Sequence, residues 1–563
     1  MGKRKSASET DSLRNVLYTL SCYLSICAHN PHFFSSSATL SSGTARSTLW
    51  AIVRHFPFLT APLPVIIRVL QVASCRVCAD PTHLQACPAC SSEQDGAAVG
   101  SLPVAQEAER ELQFTFERNN IDGGRLRERD KKRHELPNQL HILSTDMHIS
   151  PVADLKHIIS SNFPLVHMTD LSLSGACGSM NTCAQWNELR VLRPPGSLDI
   201  IYDAESKLDN FFDAYREGGR LNSTLVTASD AVHCSHPAGM CEYYMPFNRS
   251  LIIWSTTRFE QGREISKQRL QHFIKRVRAM AFQKGNALLA NNVFDQHYVH
   301  YFTGLLPVYI PSLCGYISER YSWSSDGDRD VSRHNTILAF GFRPLHFHGS
   351  FNAFVAPLTR ALDAAHSPFK ISHIKEFSNR ERYSYADISR HPAVLHLPYQ
   401  VSTMSFFEQY MMGIPIIAPS HALLVKWHLE YGLVSELTWN LLQHGAARES
   451  LVPRHRDADE PHDPNKAADL EAVSYWLGFA DYYTFPHIVY FNDWDHLARI
   501  LSTIDLSAVS ADMLEHGRNL RRDTVGKWKT VLDNVIPASE RPSMRQLDTY
   551  EGAMNAIYGS HLL

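Results

Sequence analysis

The groups in this chain best suited to chemistry lie in residues 391–420, HPAVLHLPYQVSTMSFFEQYMMGIPIIAPS. Three hydroxyl side chains, Ser402, Thr403 and Ser405, precede a helical stretch, where unpaired amides and the helix dipole favour an anion. Glu408 lies one turn into that helix, so its carboxylate can accept hydrogen bonds from a diol such as a ribose. Helix capping by one of the hydroxyls is compatible with phosphate binding, because both use the same turn.

These side chains must be positioned by alternating strands and helices. The pattern predicts a buried strand at residues 393–397 and a helix at 406–412. After Gly413 and Pro415, it predicts a second apolar strand at 416–418. A strand that leads through a helix into another strand is the repeating unit of a parallel α/β sheet.

The spacing of Glu408, Gly413 and Pro415, followed by β-branched residues and Ala418, resembles the nucleotide-sugar signature of GT-B glycosyltransferases, E-x4-G-x-P-[VI]-[VI]-A. The resemblance extends over residues 136–563 and is most specific over 336–420. It implies that Glu408 holds the ribose, that the hydroxyl turn cradles phosphate, and that Gly413 belongs to the donor site. It also implies retention of configuration and catalysis without a metal.

At two further positions, His348 and Gln400, this chain carries a different residue from the one that the family usually has. Retaining GT-B enzymes typically show an arginine and a lysine five residues apart, and here these are Arg343 and His348. Both cations would neutralise the departing diphosphate, although a histidine is fully charged only if its pKa is raised. Gln400 stands eight residues before Glu408, where a second glutamate is common, and its amide can still bind a sugar hydroxyl. Plain solvent exposure is the alternative for Arg343 and His348, and for Glu408.

The acceptor side is predicted at the first strand, residues 140–144, and apolar runs predict further strands at 225–227 and, opening the second half, at 336–340. Residues at the carboxyl end of such a strand point into the crevice where α/β proteins bind ligands. Asp146 and His148 follow this strand, and either can serve as general base toward an acceptor hydroxyl. A turn-forming aspartate is the alternative interpretation.

A length of 563 residues predicts more than one domain. The expected fold class is α/β, with two Rossmann-like domains facing a cleft (GT-B) and an irregular N-terminal extension. The charged residues and prolines of segment 453–466 indicate a flexible surface insertion. The predicted boundaries are an uncertain extension at 1–90, a polar linker at 91–135, an acceptor-side domain at 136–330, a nucleotide-sugar-binding domain at 331–510, and C-terminal helices at 511–563.

The N-terminal extension allows several interpretations. Cys75, Cys78, Cys87 and Cys90 form C-x2-C-x8-C-x2-C, which suits a structural zinc, with a disulfide pair or an unstructured segment as alternatives. Apolar runs at 16–28 and 49–73 suggest membrane association, although the first has only about 13 residues and is short for a spanning helix. The glycosylation sequons at Asn222 and Asn248 are compatible with a secretory compartment. We therefore expect an endoplasmic reticulum or Golgi membrane location rather than a cytoplasmic one.

Composition and absent motifs narrow the function. A net charge of −3 gives no electrostatic case for nucleic acid. The sequence has no Walker loop, GxGxxG after the first strand, GxSxG elbow or DxD at a strand end. We expect a hexosyl- or related transferase that uses a nucleotide-sugar donor, a glycan, lipid or protein acceptor, and no cofactor. The alternatives are a non-catalytic GT-B-like protein that binds a sugar or partner, and a nucleotide-sugar epimerase.

Overall fold

The computed structural model describes residues 139–175, 177, 191–192, 205–264, 266–324, 335–342, 350–377, 383–434, 449–542, 547 and 549–562. All of them belong to one compact unit, residues 119–563. None of the helices in these ranges is long and apolar enough to cross a membrane. The predicted N-terminal extension and linker lie outside the described residues, and so do several predicted site residues: Cys75, Cys78, Cys87, Cys90, Arg343 and His348.

The first sheet has six parallel strands in the order β2-β1-β3-β4-β5-β6, so the strand order reverses between β1 and β3. Its strands are β1 Leu140–Ser144, β2 Val166–Asp170, β3 Ala231–Cys234, β4 Ser250–Ser255, β5 Ala287–Ala290 and β6 Val308–Tyr309. The helices of this half are α1 Ile149–Asn162, α2 Leu208–Tyr215, α3 Lys267–Ala281 and α4 Val293–Thr303. Short 3-10 helices occupy Glu205–Lys207, Ala238–Tyr243 and Met245–Phe247.

The apolar pattern predicts a strand at residues 225–227 of the first half, and this prediction is wrong. Residues 225–227 form a turn, in which Ala228 N donates to Thr224 O at 2.7 Å. The adjacent strand is β3, which starts four residues later and carries His233 in its interior. The fold accommodates this histidine because its Nδ1 lies 3.1 Å from Ser144 Oγ of the neighbouring β1.

The second sheet has five parallel strands in the order β11-β10-β9-β7-β8, and here the strand order reverses between β7 and β9. Its strands are β7 Thr336–Phe340, β8 Lys370–His373, β9 Val394–His396, β10 Ile416–Pro419 and β11 Val489–Phe491. Its helices are α5 Phe351–Ala364, α6 Ile374–Phe377, α7 Tyr385–Ile388, α8 Met404–Met412, α9 His421–Tyr431, α10 Leu470–Leu477, α11 Asp481–Thr484 and α12 Trp494–Leu501.

The C-terminal segment returns to the first half. Helix α13, Leu506–Asp533, packs against α8 near its start and places Trp528 edge-on to Trp254 of β4, with ring centroids 5.4 Å apart. A short 3-10 helix, Ala538–Glu540, leads on to α14, Tyr550–Leu562. The Tyr550 hydroxyl donates to Glu242 O at 2.6 Å, so the end of the chain is tied to the first half.

The carboxyl ends of the two sheets lie on facing sides of the unit. Tyr316, in the segment after β6, donates to Glu408 of α8 at 2.7 Å, and Ser312 contacts the sulfur of Met404 at 3.6 Å. Because helices follow parallel strands at their carboxyl ends, these contacts bring the two ligand-binding edges together. The fold is therefore α/β with two Rossmann-like domains, and the predicted fold class is confirmed.

Candidate functional site

The loops after β1 and β3 meet where the strand order of the first sheet reverses. Open α/β sheets bind ligands at such a point, outside the carboxyl ends of the strands. The β1 loop carries Asp146 and His148, and the β3 loop carries His236. Met147 N donates to His236 O at 3.0 Å, so the two loops are directly joined. The structure thus places both predicted acceptor-side residues at the expected crevice and adds His236.

Asp146 lies in an environment that favours its protonated form. Its side chain is buried, and its Oδ1 accepts a hydrogen bond from Ser172 Oγ at 3.2 Å. Burial raises the pKa of Asp146 well above its usual range, and the adjacent Asp170 carboxylate raises it further. Burial also raises the pKa of Asp170, which is held lower by its hydrogen bond with Asp146. The two carboxyls therefore share a proton, and Asp146 is the donor of the pair.

His148 caps helix α1 and is neutral at physiological pH. Its Nδ1 accepts a hydrogen bond from Ser150 N at 3.4 Å. Burial lowers the pKa of the imidazole. A neutral imidazole that accepts at Nδ1 carries its proton on Nε2, so the hydrogen-bond pattern assigns His148 as a donor toward the crevice.

His236 has the opposite tautomer. Its ring lies 4.9 Å from the ring of His148, measured between centroids. The Thr256 hydroxyl donates to Ser235 O at 3.2 Å, so the His236 Nδ1 that lies 3.3 Å from this hydroxyl must be the donor. Burial, with a smaller contribution from His148, lowers the pKa of His236 to about 3. Its Nε2 is therefore unprotonated at neutral pH.

The predicted phosphate turn follows β9, beside the point where the second sheet reverses. Thr403 caps α8, because its Oγ1 accepts from Phe406 N at 3.3 Å and lies 3.2 Å from Ser405 Oγ. Gln400 and Ser402 are half-buried in the same turn. Gly341 ends β7 with φ +85°, and a Cβ there would lie 2.2 Å from Leu397 O. Only glycine lets the loops after β7 and β9 approach this closely.

Glu408 is buried, which rules out the alternative of an ordinary exposed helix residue. Its Oε1 accepts hydrogen bonds from Tyr316 at 2.7 Å and from Tyr385 at 2.9 Å. Burial raises the pKa of Glu408, while these two hydrogen bonds act to lower it. The cavity that Glu408 lines together with Arg320 and Arg521 is too small for a ligand of the size that protein sites usually hold.

Gly413 lies at the other end of α8 from the phosphate turn. It adopts φ +77° as the C-cap residue, and a Cβ there would lie 2.6 Å from Leu514 of α13. The structure therefore gives Gly413 a role in ending α8 and in the packing of α13.

Three residues of these sites carried little or no signal in the sequence. His236 follows β3, a strand that the apolar pattern missed, although the His-Pro pair directly after buried residues was visible. Tyr316 and Tyr385 come from segments that lie 92 and 23 residues from Glu408 along the chain. Their contact with its carboxylate depends on tertiary structure, which no local spacing reveals.

Comparison with known proteins adds the following. No family model matches the chain, and no curated protein matches it. Solved structures with a similar fold include the glycotransferase of kitacinnamycin, with 12% identity and a TM-score of 0.35 over 71% of this chain and 100% of that one. SnogD from Streptomyces nogalater has 10% identity and a TM-score of 0.33 over 70% and 99%. The spinosyn rhamnosyltransferase SpnG, complexed with thymidine diphosphate, has 11% identity and a TM-score of 0.31 over 70% and 100%. The fold assignment rests on the strand orders, and we take no functional argument from these likenesses.

Proposed function

We propose that this chain is a glycosyltransferase that moves a hexosyl or related sugar from a nucleotide-diphosphate donor to an acceptor hydroxyl, without a catalytic metal. One observation carries the proposal: the carboxyl ends of two parallel sheets face each other, with different chemistry on each side. The first side bears an unprotonated imidazole nitrogen on His236. The second bears a helix N-terminus with two hydroxyls and, one turn on, the buried carboxylate of Glu408.

The donor would bind on the second side. In this proposal the amides at the start of α8 and the hydroxyls of Ser402, Thr403 and Ser405 bind phosphate, as helix N-termini do. Glu408 accepts a ribose hydroxyl with Oε2, while the two tyrosines hold Oε1. Gln400 binds a sugar hydroxyl. Arg343 and His348, which follow β7 in the sequence, neutralise the departing diphosphate.

The acceptor would bind on the first side. The acceptor hydroxyl gives its proton to His236 Nε2, its oxygen bonds to the anomeric carbon, and the nucleoside diphosphate leaves with the electrons of the broken sugar–phosphate bond. His148 Nε2–H orients the acceptor by a hydrogen bond, while the proton of Asp146 is held by Asp170. In this proposal His236 acts as the general base in place of Asp146 or His148, because Asp146 shares a proton with Asp170 and His148 accepts a hydrogen bond at Nδ1.

Other expectations stay predictions. Retention of configuration, which the resemblance implies, requires that the acceptor attack from the same face that the diphosphate leaves, and the anomeric form of the product tests it. The structural zinc on the four N-terminal cysteines, the glycan, lipid or protein nature of the acceptor, and an endoplasmic reticulum or Golgi membrane location are likewise untested. Of the two sequons, Asn222 is exposed, whereas the Asn248 amide donates to Pro542 O at 3.2 Å.

Nucleotide binding is the first experiment. Thermal denaturation of the full chain is followed with UDP, GDP, ADP, CDP and their sugars, for wild type, Glu408→Ala and the matched control Glu471→Ala on the exposed face of α10. Ligand at about 100 times its dissociation constant adds about 2.7 kcal/mol to native stability. We expect one nucleotide class to stabilise the wild type and the control but not Glu408→Ala. No stabilisation by any nucleotide would refute the donor site.

Turnover then tests the acceptor side. His236→Ala should lower kcat by about 10²- to 10⁴-fold, the usual contribution of a general base, and leave donor binding unchanged. Equal kcat in the wild type and the variant would refute the assignment of the base.

A non-catalytic binding protein is the second candidate, and the enclosure of Glu408 favours it. Two tyrosines already hold Oε1 of the carboxylate, and the cavity beside Glu408 is small. A folded chain that binds no nucleotide, in the same denaturation experiment, would support this candidate. An epimerase is distinguished separately, since it converts a free nucleotide sugar with no acceptor present.

A further inference from the structure

Helix α4 of the first half and residues 449–469 of the second half bring two imidazoles and a carboxylate together. His297 and His300 are three residues apart, so they lie on one face of the helix. The Nδ1 atoms of both rings lie 2.8 Å from the same oxygen, Oε1 of Glu460. All three potential ligand atoms lie within 4.8 Å of one another.

Glu460 is a buried group with unused bonding capacity. Its side chain is only 1% exposed, and among the described residues its Oε2 has no hydrogen-bond partner. Burying a polar atom without a partner costs free energy, and the binding of an ion is one recognised reason why such an atom occurs. The hydrogen bonds from the two histidines therefore do not account for the whole carboxylate.

We propose that His297, His300 and Glu460 bind a zinc ion. Two imidazole nitrogens and one carboxylate oxygen are a donor set typical of zinc, whereas magnesium and calcium prefer oxygen ligands alone. With bonds of about 2.0–2.1 Å, the ligand atoms of a tetrahedral site stand about 3.3 Å apart. The present separations of 2.8 Å from Nδ1 to Oε1 need only a small widening of the cluster.

A fourth ligand is available at the open side of the cluster. Asp459 Oδ1 lies 3.7 Å from His300 Nδ1, and the Asp459 side chain is 93% exposed and free to turn. The His297 side chain is 28% exposed, so water can also reach the ion. Zinc with three protein ligands and water is a common arrangement.

The surroundings hold the ligands in position before any ion binds. The His297 ring stacks on Phe479 at 4.3 Å with an interplanar angle of 17°. Arg454 donates to Glu460 O at 2.7 Å, and His455 N donates to Tyr301 O at 2.8 Å. The ion would therefore fix residues 449–469, which belong to the second half of the fold, to α4 of the first half. This inference does not depend on the proposed transferase activity.

The test is zinc binding to the full chain. Protein treated with a chelator is titrated with zinc chloride, and bound zinc per chain is measured for wild type and for His297→Gln/His300→Gln. Glutamine keeps a donor toward Glu460 but removes the imidazole ligand. We expect the double variant to bind one zinc fewer per chain and to lose the rise in denaturation temperature that zinc gives the wild type. His167→Gln, an exposed histidine on β2, is the matched control and should behave as wild type.

The N-terminal cysteines are separated from this site by a second variant. With Cys75, Cys78, Cys87 and Cys90 replaced by serine, one zinc per chain should remain, and cobalt in its place should show no thiolate charge-transfer band. Glu460→Gln provides an independent check if the histidine variant does not fold, because its amide still bonds to the rings. Equal zinc content in the wild type and either folded ligand variant would overturn the proposal.

Discussion

Glu242 is a fully buried charge of the first half, and the effect of its replacement on stability can be calculated. Its carboxylate accepts hydrogen bonds from Arg263 at 3.1 Å, from Arg269 at 2.9 and 2.5 Å, and from Arg276 at 2.6 Å. Burial alone would raise the pKa of Glu242, but the three guanidinium groups lower it to about 2. The Glu242 segment directly follows His236, so its position also fixes that of the proposed base.

Replacing Glu242 by glutamine should lower the free energy of unfolding by about 3 kcal/mol at neutral pH. The pKa falls from an ordinary 4.5 to about 2, and each pH unit is worth about 1.36 kcal/mol. Removing one partner of a buried ion pair typically costs about 3–5 kcal/mol, which agrees. Because the folded-state pKa is the lower one, this stabilisation is complete above about pH 4.5 and disappears as the pH falls toward 2.

Urea unfolding of the full chain, followed by tryptophan fluorescence at pH 7 and at pH 3, measures the effect. Glu551→Gln is the matched control, because Glu551 pairs with the same Arg276 but its side chain is 57% exposed. An exposed pair contributes about 0–1 kcal/mol, so the control should unfold nearly as the wild type does. A loss below 1 kcal/mol for Glu242→Gln, or one that does not shrink at low pH, would refute the reasoning.

Two further predictions concern the second half. Gly341→Ala should cost more than about 2 kcal/mol, since the left-handed backbone alone costs about 1–2 kcal/mol and the new Cβ would overlap Leu397 O. Gly526→Ala in α13 meets nothing within 4 Å and should be neutral or up to about 1 kcal/mol stabilising, so equal thermal denaturation of the two variants would contradict this account. Tyr385→Phe removes a hydrogen bond that lowers the pKa of Glu408, so the pKa of Glu408 should be higher in the variant. As the pH is lowered, the variant should therefore lose nucleotide binding at a higher pH than the wild type does. Calorimetric titrations over a pH series measure this shift, and an unchanged pH dependence would show that the carboxylate is not a ligand.

The sequence predicted those elements whose stability comes from continuous apolar runs. Strands β1 and β7 have the predicted bounds: β7 is buried throughout, and β1 is buried over residues 142–144. Strand β3 was missed because it carries His233, whose burial is tolerated only through Ser144 on the neighbouring strand. The hydrogen-bond partner of such a residue lies far away in sequence, so local composition cannot predict the strand.

The segment 453–466 shows the same limit at a surface. Its charge and its prolines predict a flexible insertion, yet Glu460 and Asn465 within it are buried. Glu460 meets His297, 163 residues earlier, and Asn465 donates to Tyr298 OH at 3.3 Å. Polar residues are buried here because α4 supplies polar partners, and the sequence of the insertion does not contain that information.

The strand order decides which carboxylate can do which chemistry. Pairing of β1 with β2 sets Ser144 opposite Asp170 and thereby brings Asp146 against a second carboxyl, which makes it a proton donor. Reversal between β1 and β3 brings in His236, whose hydrogen bonds leave Nε2 unprotonated. A single strand–helix–strand motif is enough to propose a class of function, whereas the role of each residue requires knowledge of its neighbouring strands. For that reason the base that we propose is His236, in the loop after β3, rather than Asp146 or His148, which the sequence favoured.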